Sequence, residues 1–361
     1  MKVLVTGHRG YVGAVVVPVL LEAGFDVSGY DLDYYGHCTY SHGGPYRAVP
    51  TIQKDIRDAV PADFEGFEAV VHLAELPDAP GRLPQGIVEE VNHRACVRVA
   101  LAARQAGVSR LLVASSCAVY GKSGDERLDE TGPLNPQSEY AIAKVLAEHD
   151  VAALATTDFS PTFLRLASAC GLSPRLRFDI FFNRLVASAV TEGRIPLPPG
   201  EDSWRPLVHL QDVARAMVSM LRESRTTLHN QVFNVGATSN NYRLGDLAQI
   251  VADVVTGSEI VYEDAAFYPT GESCRLSFEK LSRVLPSAVP QWTPRLCAEQ
   301  LQDAFRASML TTEEFERTRY DRAAELIALV AERTLDLDLR RTNGLLSGGV
   351  LPGSEGLRVI Q

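Results

Sequence analysis

The stretch "TGHRGYVG" at residues 6–13 constrains this chain more than any other. It sets three glycines three apart, Gly7, Gly10 and Gly13, between the apolar run "MKVLV" and a helical pattern. Gly7 turns the chain off a strand, Gly10 leaves no side chain to hold a pyrophosphate away, and Gly13 lets the helix lie close to the sheet. The helix N-terminus then attracts phosphate groups. A lone glycine triplet says little. Here the strand, the helix and Asp31 at the end of a second strand complete a dinucleotide-binding fingerprint, with Asp31 placed to accept hydrogen bonds from a ribose. Arg9 complicates the choice of cofactor, since a guanidinium in this loop suits the 2′-phosphate of NADP. Asp31 repels such a phosphate, and the run "YDLDYYG" offers no basic residue beside it, so NAD is expected. Arg9, Tyr11 and Val12 count with the loop as cofactor residues.

Apolar strands alternate with helical patterns along the first half: residues 2–6, 26–31, 69–74, 110–116 and 162–167 read as strands, and 91–107 as a helix. Such alternation implies an α/β fold, a Rossmann-like doubly wound parallel sheet. Residues 1–167 form the dinucleotide-binding domain, with 207–238 returning to it. A smaller mixed α/β substrate-binding domain takes 168–206 and 239–310, including an amphipathic helix at 242–255. Residues 311–361 supply a C-terminal helix (311–335) and a Gly/Ser-rich flexible tail (342–361). Pro18 inside the first helix is expected to kink it or to cost ~3 kcal/mol.

The balance of 45 acidic to 35 basic residues argues against a broad nucleic-acid surface. No apolar run is long enough to span a bilayer, and "MKVLV" leaves no room for a signal peptide, so a cytoplasmic location without a membrane partner is expected. The six cysteines, Cys38, Cys96, Cys117, Cys170, Cys274 and Cys297, form no CxxC pair. They read as free thiols, with no metal site implied.

Tyr140 and Lys144 in "SEYAIAK" (138–144) share one helix face. A free phenol, with pKa near 10, is a poor base. The adjacent ammonium and an oxidised nicotinamide both favour its ionised form. Ser116 ends the fourth strand, at the sheet edge where doubly wound folds do their chemistry.

These residues, with "KDIRD" (54–58), "VVHLAE" (70–75), "VN" (91–92), "SSCAVYG" (115–121), "LRLASACG" (164–171), "WRPLVHLQDVARA" (204–216) and "FNVG" (233–236), resemble the extended short-chain dehydrogenase/reductases, specifically the NAD-dependent nucleotide-sugar epimerase/dehydratase group. The resemblance implies that Tyr140 is the acid/base, Lys144 its activator and a ribose ligand, and Ser116 the holder of a substrate hydroxyl or carbonyl. It places Asp55 and Ile56 beside the adenine, and Leu73, Ala74 and Asn92 along the cofactor cleft. Asn183 and Arg205 match residues that meet a substrate diphosphate; a guanidinium fork suits that group, and "EDSWRP" (201–206) reads as a polar loop from which Arg205 can reach it. It also implies a homodimer built on the helices at 91–107 and 140–154.

Four positions depart from the pattern. Cys117 and Ala118 follow Ser116 where dehydratases carry Asp-Glu, which disfavours 4,6-dehydration. Ser168 replaces a common Asn, and Glu75 a small residue; both are candidate substrate contacts, Glu75 also as a second base. Glu272 and Arg275 are both candidates for a second phosphate-binding position. The expected function is an NAD-dependent nucleotide-sugar epimerase that passes through a keto sugar. A nucleotide-sugar ketoreductase or dehydrogenase is the alternative, and a non-catalytic NAD-binding sensor or scaffold is the alternative of another class.

Overall fold

The computed structural model of the chain describes residues 1–44, 46–199, 203–263 and 273–342. The tail at 343–361 and Glu272 lie outside the described residues.

Seven parallel strands form the central sheet: β1 (Lys2–Thr6), β2 (Asp26–Tyr30), β3 (Thr51–Ile52), β4 (Ala69–His72), β5 (Arg110–Ser116), β6 (Ser160–Leu166) and β7 (Gln231–Val235). Their order is β7-β6-β5-β4-β1-β2-β3. Alternation along β1 builds both faces. Val3 and Val5 pack under α1 (Gly13–Glu22), and Leu4 packs on the other side with α2 (Ala95–Gln105) and α3 (Glu139–Ala152). With α4 (Phe181–Glu192) reserved to the second unit, α5 (Leu210–Arg222) packs beside α1. The reversal of strand order lies between β1 and β4, so the edge after both strands is a crevice.

Around α4 a second core gathers Phe178, Phe182, Leu185, Leu247 and Phe305. Its sheet pairs Trp204–His209 with Ser168–Cys170 on one side and Asn241–Arg243 on the other. The amphipathic stretch at 242–255 starts as that short strand and becomes helical over Leu244–Val254.

The helix α1 continues through buried Pro18. Two local expectations are corrected. The stretch 311–335 is two helices, Thr312–Phe315 and Arg322–Ala331. Thr311 caps the first, and Asp321 caps the second by accepting from the Ala324 N–H at 3.0 Å. Between them Tyr320 turns inward against Phe178. The helix expected from 91 begins with wider turns over Glu89–Arg94 before α2 starts. Among the described residues no helix is long and apolar enough to cross a membrane.

Candidate active site

The glycine loop is set by sterics. Gly7 has φ +69°, and a Cβ there would lie 2.6 Å from the Ala74 nitrogen. A Cβ on Gly13 would run into the Gly7 carbonyl and His8, so this glycine closes the loop on itself rather than on the sheet. Gly10 is only tight, with its nearest neighbour, the Gly7 oxygen, at 3.2 Å. Thr6 anchors the opposite side, its hydroxyl accepting from the Leu73 and Ala74 N–H groups at 3.2 and 3.3 Å. Gly7, Gly10, Asp31, Ile56, Leu73 and Ala74 all face one cavity of about 110 Å³. A backbone cradle at a helix N-terminus, with a carboxylate at its far end, fits a dinucleotide.

Asp31 accepts from the backbone N–H of Arg9 at 2.9 Å and of Asp33 at 2.7 Å. Burial raises its carboxyl against those hydrogen bonds. The Arg9 guanidinium turns instead to Asp33, at 2.8 Å. Two carboxylates therefore stand at the end of β2, and the guanidinium that suits a 2′-phosphate is already paired. Asp33 was missed from sequence, although it stands in the same "YDLDYYG" run. His8, also missed, is held neutral by burial, its pKa lowered to about 4.

Asp55 and Ile56 line the same cleft. The Asp55 carboxylate is occupied by Arg57 at 2.6 Å and Arg340 at 3.1 Å. Asn92 lies one layer behind the cleft. Its amide accepts from the Leu76 N–H at 2.8 Å and donates to the Leu76 carbonyl at 3.0 Å, which fixes the segment after β4. The wide turns around Asn92 aim that amide, and such turns recur at functional sites.

Ser116, Tyr140 and Lys144 come together where β5 meets α3. Ser138 caps α3, accepting from the Ala141 N–H, so Tyr140 lies in its first turn. The Ser116 hydroxyl accepts from the Ala118 N–H at 3.1 Å and stands close enough to the Tyr140 phenol to favour its ionised form. Lys144 is buried, and its Nζ donates to the Ala114 carbonyl at 2.7 Å. It also pairs with Glu75. Glu75 accepts from the Tyr140 hydroxyl at 3.3 Å, so it bridges the two residues.

That bridge sets the Glu75 carboxylate between Lys144 and the phenol. The Tyr140 phenol sits well above its ordinary value, first through burial and then through the Glu75 and Asp78 carboxylates, with Ser116 pulling the other way. Lys144 activation is countered because Glu75 takes up its charge. Asp78, a further residue missed from sequence, also accepts from the Ser138 hydroxyl at 3.1 Å.

The substrate-side candidates are more dispersed. Arg205 is buried inside the strand Trp204–His209, opposite Tyr242, and not in the polar loop expected of "EDSWRP". Ser168 opens the neighbouring strand beside Leu207. The Asn183 amide is spent inside the fold, accepting from the Gly171 N–H and donating to the Tyr11 hydroxyl and the Arg177 carbonyl. Tyr11 in turn donates to the Gly171 carbonyl at 2.8 Å, tying the glycine loop to the second unit. Val12 packs half-buried against both α1-side cores. Cys117 is buried, as are the other five free cysteines.

One trio among the described residues, His37, Cys38 and Glu325, brings its ligand atoms within 4.8 Å. Burial pushes the Cys38 thiol up to about 11 and guanidinium groups of Arg322 and Arg175 face it. Within the trio His37 pairs with Glu325 at 2.7 Å.

Residues 3–236 match the model of the NAD-dependent epimerase/dehydratase family. The chain belongs to that family. Its fold is accordingly the extended short-chain dehydrogenase/reductase form, and NAD is the cofactor that its cleft serves. A UDP-glucose 4-epimerase of Corynebacterium glutamicum is 29% identical over 286 residues, covering 73% of this chain and 83% of its own. The UDP-glucose 4-epimerase of Thermus thermophilus in complex with NAD superposes with a TM-score of 0.70 at 26% identity, over 85% of this chain and 100% of that one. MoeE5, in complex with UDP-glucuronic acid and NAD, gives 0.71 at 26% identity with the same coverage.

Proposed function

We propose that this member of the family is a nucleotide-sugar epimerase that oxidises one carbinol carbon transiently and reduces it again from the opposite face. One observation carries the reading: Ser116, Tyr140 and Lys144 converge at the sheet edge beside a glycine-cradled cleft. Similarity to UDP-glucose 4-epimerases along most of the chain supports the substrate class.

Bound NAD+ would supply a hydride acceptor and later a hydride donor. The chain's own residues manage the proton. Ser116 orients the substrate hydroxyl toward Tyr140, and the Tyr140 oxygen takes its proton as the keto sugar forms. The same phenol returns the proton when the carbonyl is reduced. Lys144 favours the ionised phenol against the opposing Glu75 carboxylate. Cys117 and Ala118 supply neither acid nor base for dehydration. Arg205 is assigned to the substrate diphosphate by its guanidinium chemistry; Asn183 is left out of that set because its amide is used inside the fold.

A homodimer forms part of the same reading, through the outer faces of α2 and α3. Of the apolar residues on these helices, Ala95, Val99, Ala102, Ala103, Ala147 and Val151 turn inward onto the sheet, and Ala143 packs against Leu326 and Leu329. Ile142 and Leu146, at 46% and 38% exposure, remain outside. Light scattering at micromolar concentration tests the dimer, and a monomer contradicts it.

The catalytic reading is tested by screening nucleotide sugars with purified protein and no added cofactor, with products read by NMR. An epimer formed in many turnovers supports it. Product that consumes one reduced nicotinamide per molecule makes the chain a ketoreductase, and NAD binding without turnover of any sugar makes it a sensor.

A further inference from the structure

The adenosine end of the cleft is closed by residues from the far end of the chain. The helix Arg322–Ala331 sets Leu326 and Leu329 against Leu76, Ile87 and Val88 of the segment after β4, and against Ala143 of α3. The chain then turns back on itself, Leu335 bridging to Arg341. At the tip, Leu339 enters the lining of the cavity shared with Gly7, Gly10, Asp31 and Ile56. This segment lies beyond the residues that the family model matches.

Leu339 is buried with φ +53°. A leucine rarely takes that left-handed conformation and keeps it only where the surroundings impose it. The surroundings do so from two walls. From the wall that carries Asp55 and Ile56, Arg57 donates to the Asp338 carbonyl at 2.6 Å and the Leu339 carbonyl at 3.2 Å. Arg340 answers by pairing with Asp55 at 3.1 Å and with Asp58. From the end of β2, the Tyr34 hydroxyl donates to the Leu339 carbonyl, while Arg341 donates to the Leu32 and Asp33 carbonyls at 2.9 and 3.3 Å. These two walls flank the adenosine half of a dinucleotide laid from Asp31 to the glycine loop. About 110 Å³ stays open with Leu339 in place, so its side chain is a wall of the cleft and not its filling.

We propose that Leu339 is a cofactor-contact residue, and that the turn 335–341 closes the adenosine end of the cleft and slows the release of NAD. The gain from slow release rests on the epimerase reading, in which one bound cofactor serves many turnovers; the binding claim does not need it.

The experiment is NADH release from the purified full chain, followed by fluorescence after mixing with excess ADP-ribose as a trap. Leu339→Gly removes the side chain while glycine adopts the turn's backbone freely. Release is expected to speed by about ten- to a hundredfold, as loss of a buried leucine contact implies. The dissociation constants of NADH and ADP-ribose rise by the same factor, and that of nicotinamide mononucleotide stays put. Arg341→Ala, which loosens the turn but keeps Leu339, gives a smaller change in the same direction. It decides the matter if Leu339→Gly lowers the unfolding temperature of the cofactor-free chain. Unchanged release in both variants overturns the proposal, and so does slower release, which makes the turn a plug. No sugar enters these measurements. Faster release in a protein that turns over no sugar sinks the proposed function and leaves this inference standing, and the converse result does the reverse.

Discussion

Replacing Glu75 with glutamine removes one negative charge 3.3 Å from the Tyr140 hydroxyl and keeps the size of the side chain. Glu75 is 31% exposed, so solvent screens it and an effective dielectric of ~40–80 applies. At 3.3 Å the repulsion between the carboxylate and a phenolate is then about 1.3–2.5 kcal/mol. That equals about 1–2 pKa units. The sign follows directly: a nearby anion disfavours the phenolate, so its loss lowers the Tyr140 pKa. Lys144, freed from its partner, acts in the same direction. Tyr140 works as a base only when ionised, so kcat/KM rises with pH through its ionisation. The rising limb of the pH profile, measured with the best nucleotide sugar of the screen, should move about 1–2 units toward lower pH in Glu75→Gln. A limb that stays in place, or moves to higher pH, refutes the claim that Glu75 holds the phenol protonated.

Other positions give sharp outcomes as well. Tyr140→Phe should abolish turnover and leave the NADH dissociation constant intact, since only the ionisable hydroxyl is lost; substantial remaining activity contradicts the acid/base role. Asp33→Ala should free Arg9 and narrow the preference for NADH over NADPH by about tenfold, the worth of a charge-assisted hydrogen bond; an unchanged ratio in direct titrations shows that Arg9 does not reach the 2′-phosphate. Arg205→Ala should raise KM for a nucleotide sugar about ten- to a hundredfold with NAD affinity unaltered; a change confined to NAD affinity moves Arg205 to the cofactor site. Glu148→Gln should leave buried Arg165, now paired at 2.7 Å, without its counter-charge, at a cost of about 3–5 kcal/mol; the denaturant midpoint reads this, and an unmoved midpoint contradicts it.

What could be read from the sequence depended on how local its cause was. The glycine loop was legible because Gly7 and Gly13 answer to steric demands within one strand–helix turn. Tyr140 and Lys144 stood out through helical spacing taken together with Ser116 at the end of the fourth strand. Asp33 was hidden because two carboxylates in one run do not reveal which takes the backbone N–H groups and which takes Arg9. Arg205 misled because polar neighbours suggested a loop, whereas pairing with Asn241–Arg243 makes its segment a buried strand. The inward turn of Ala95, Val99 and Ala147 could not be told from an outer apolar face, since short helices rich in alanine look apolar all round. β3, at two residues, is too short to carry a pattern. Leu339 had no signal at all, because its role depends on contacts with Tyr34 and Arg57, roughly three hundred residues earlier.

The most direct test of the epimerase account follows the hydride itself. A nucleotide sugar found active in the screen is deuterated at the carbon that inverts and incubated with the purified protein without added cofactor. The account predicts that the epimer forms in many turnovers with the deuterium retained at the inverted carbon, because the hydride leaves and returns within one closed site. An epimer that has lost the label, or product that appears only with stoichiometric reduced nicotinamide, contradicts it.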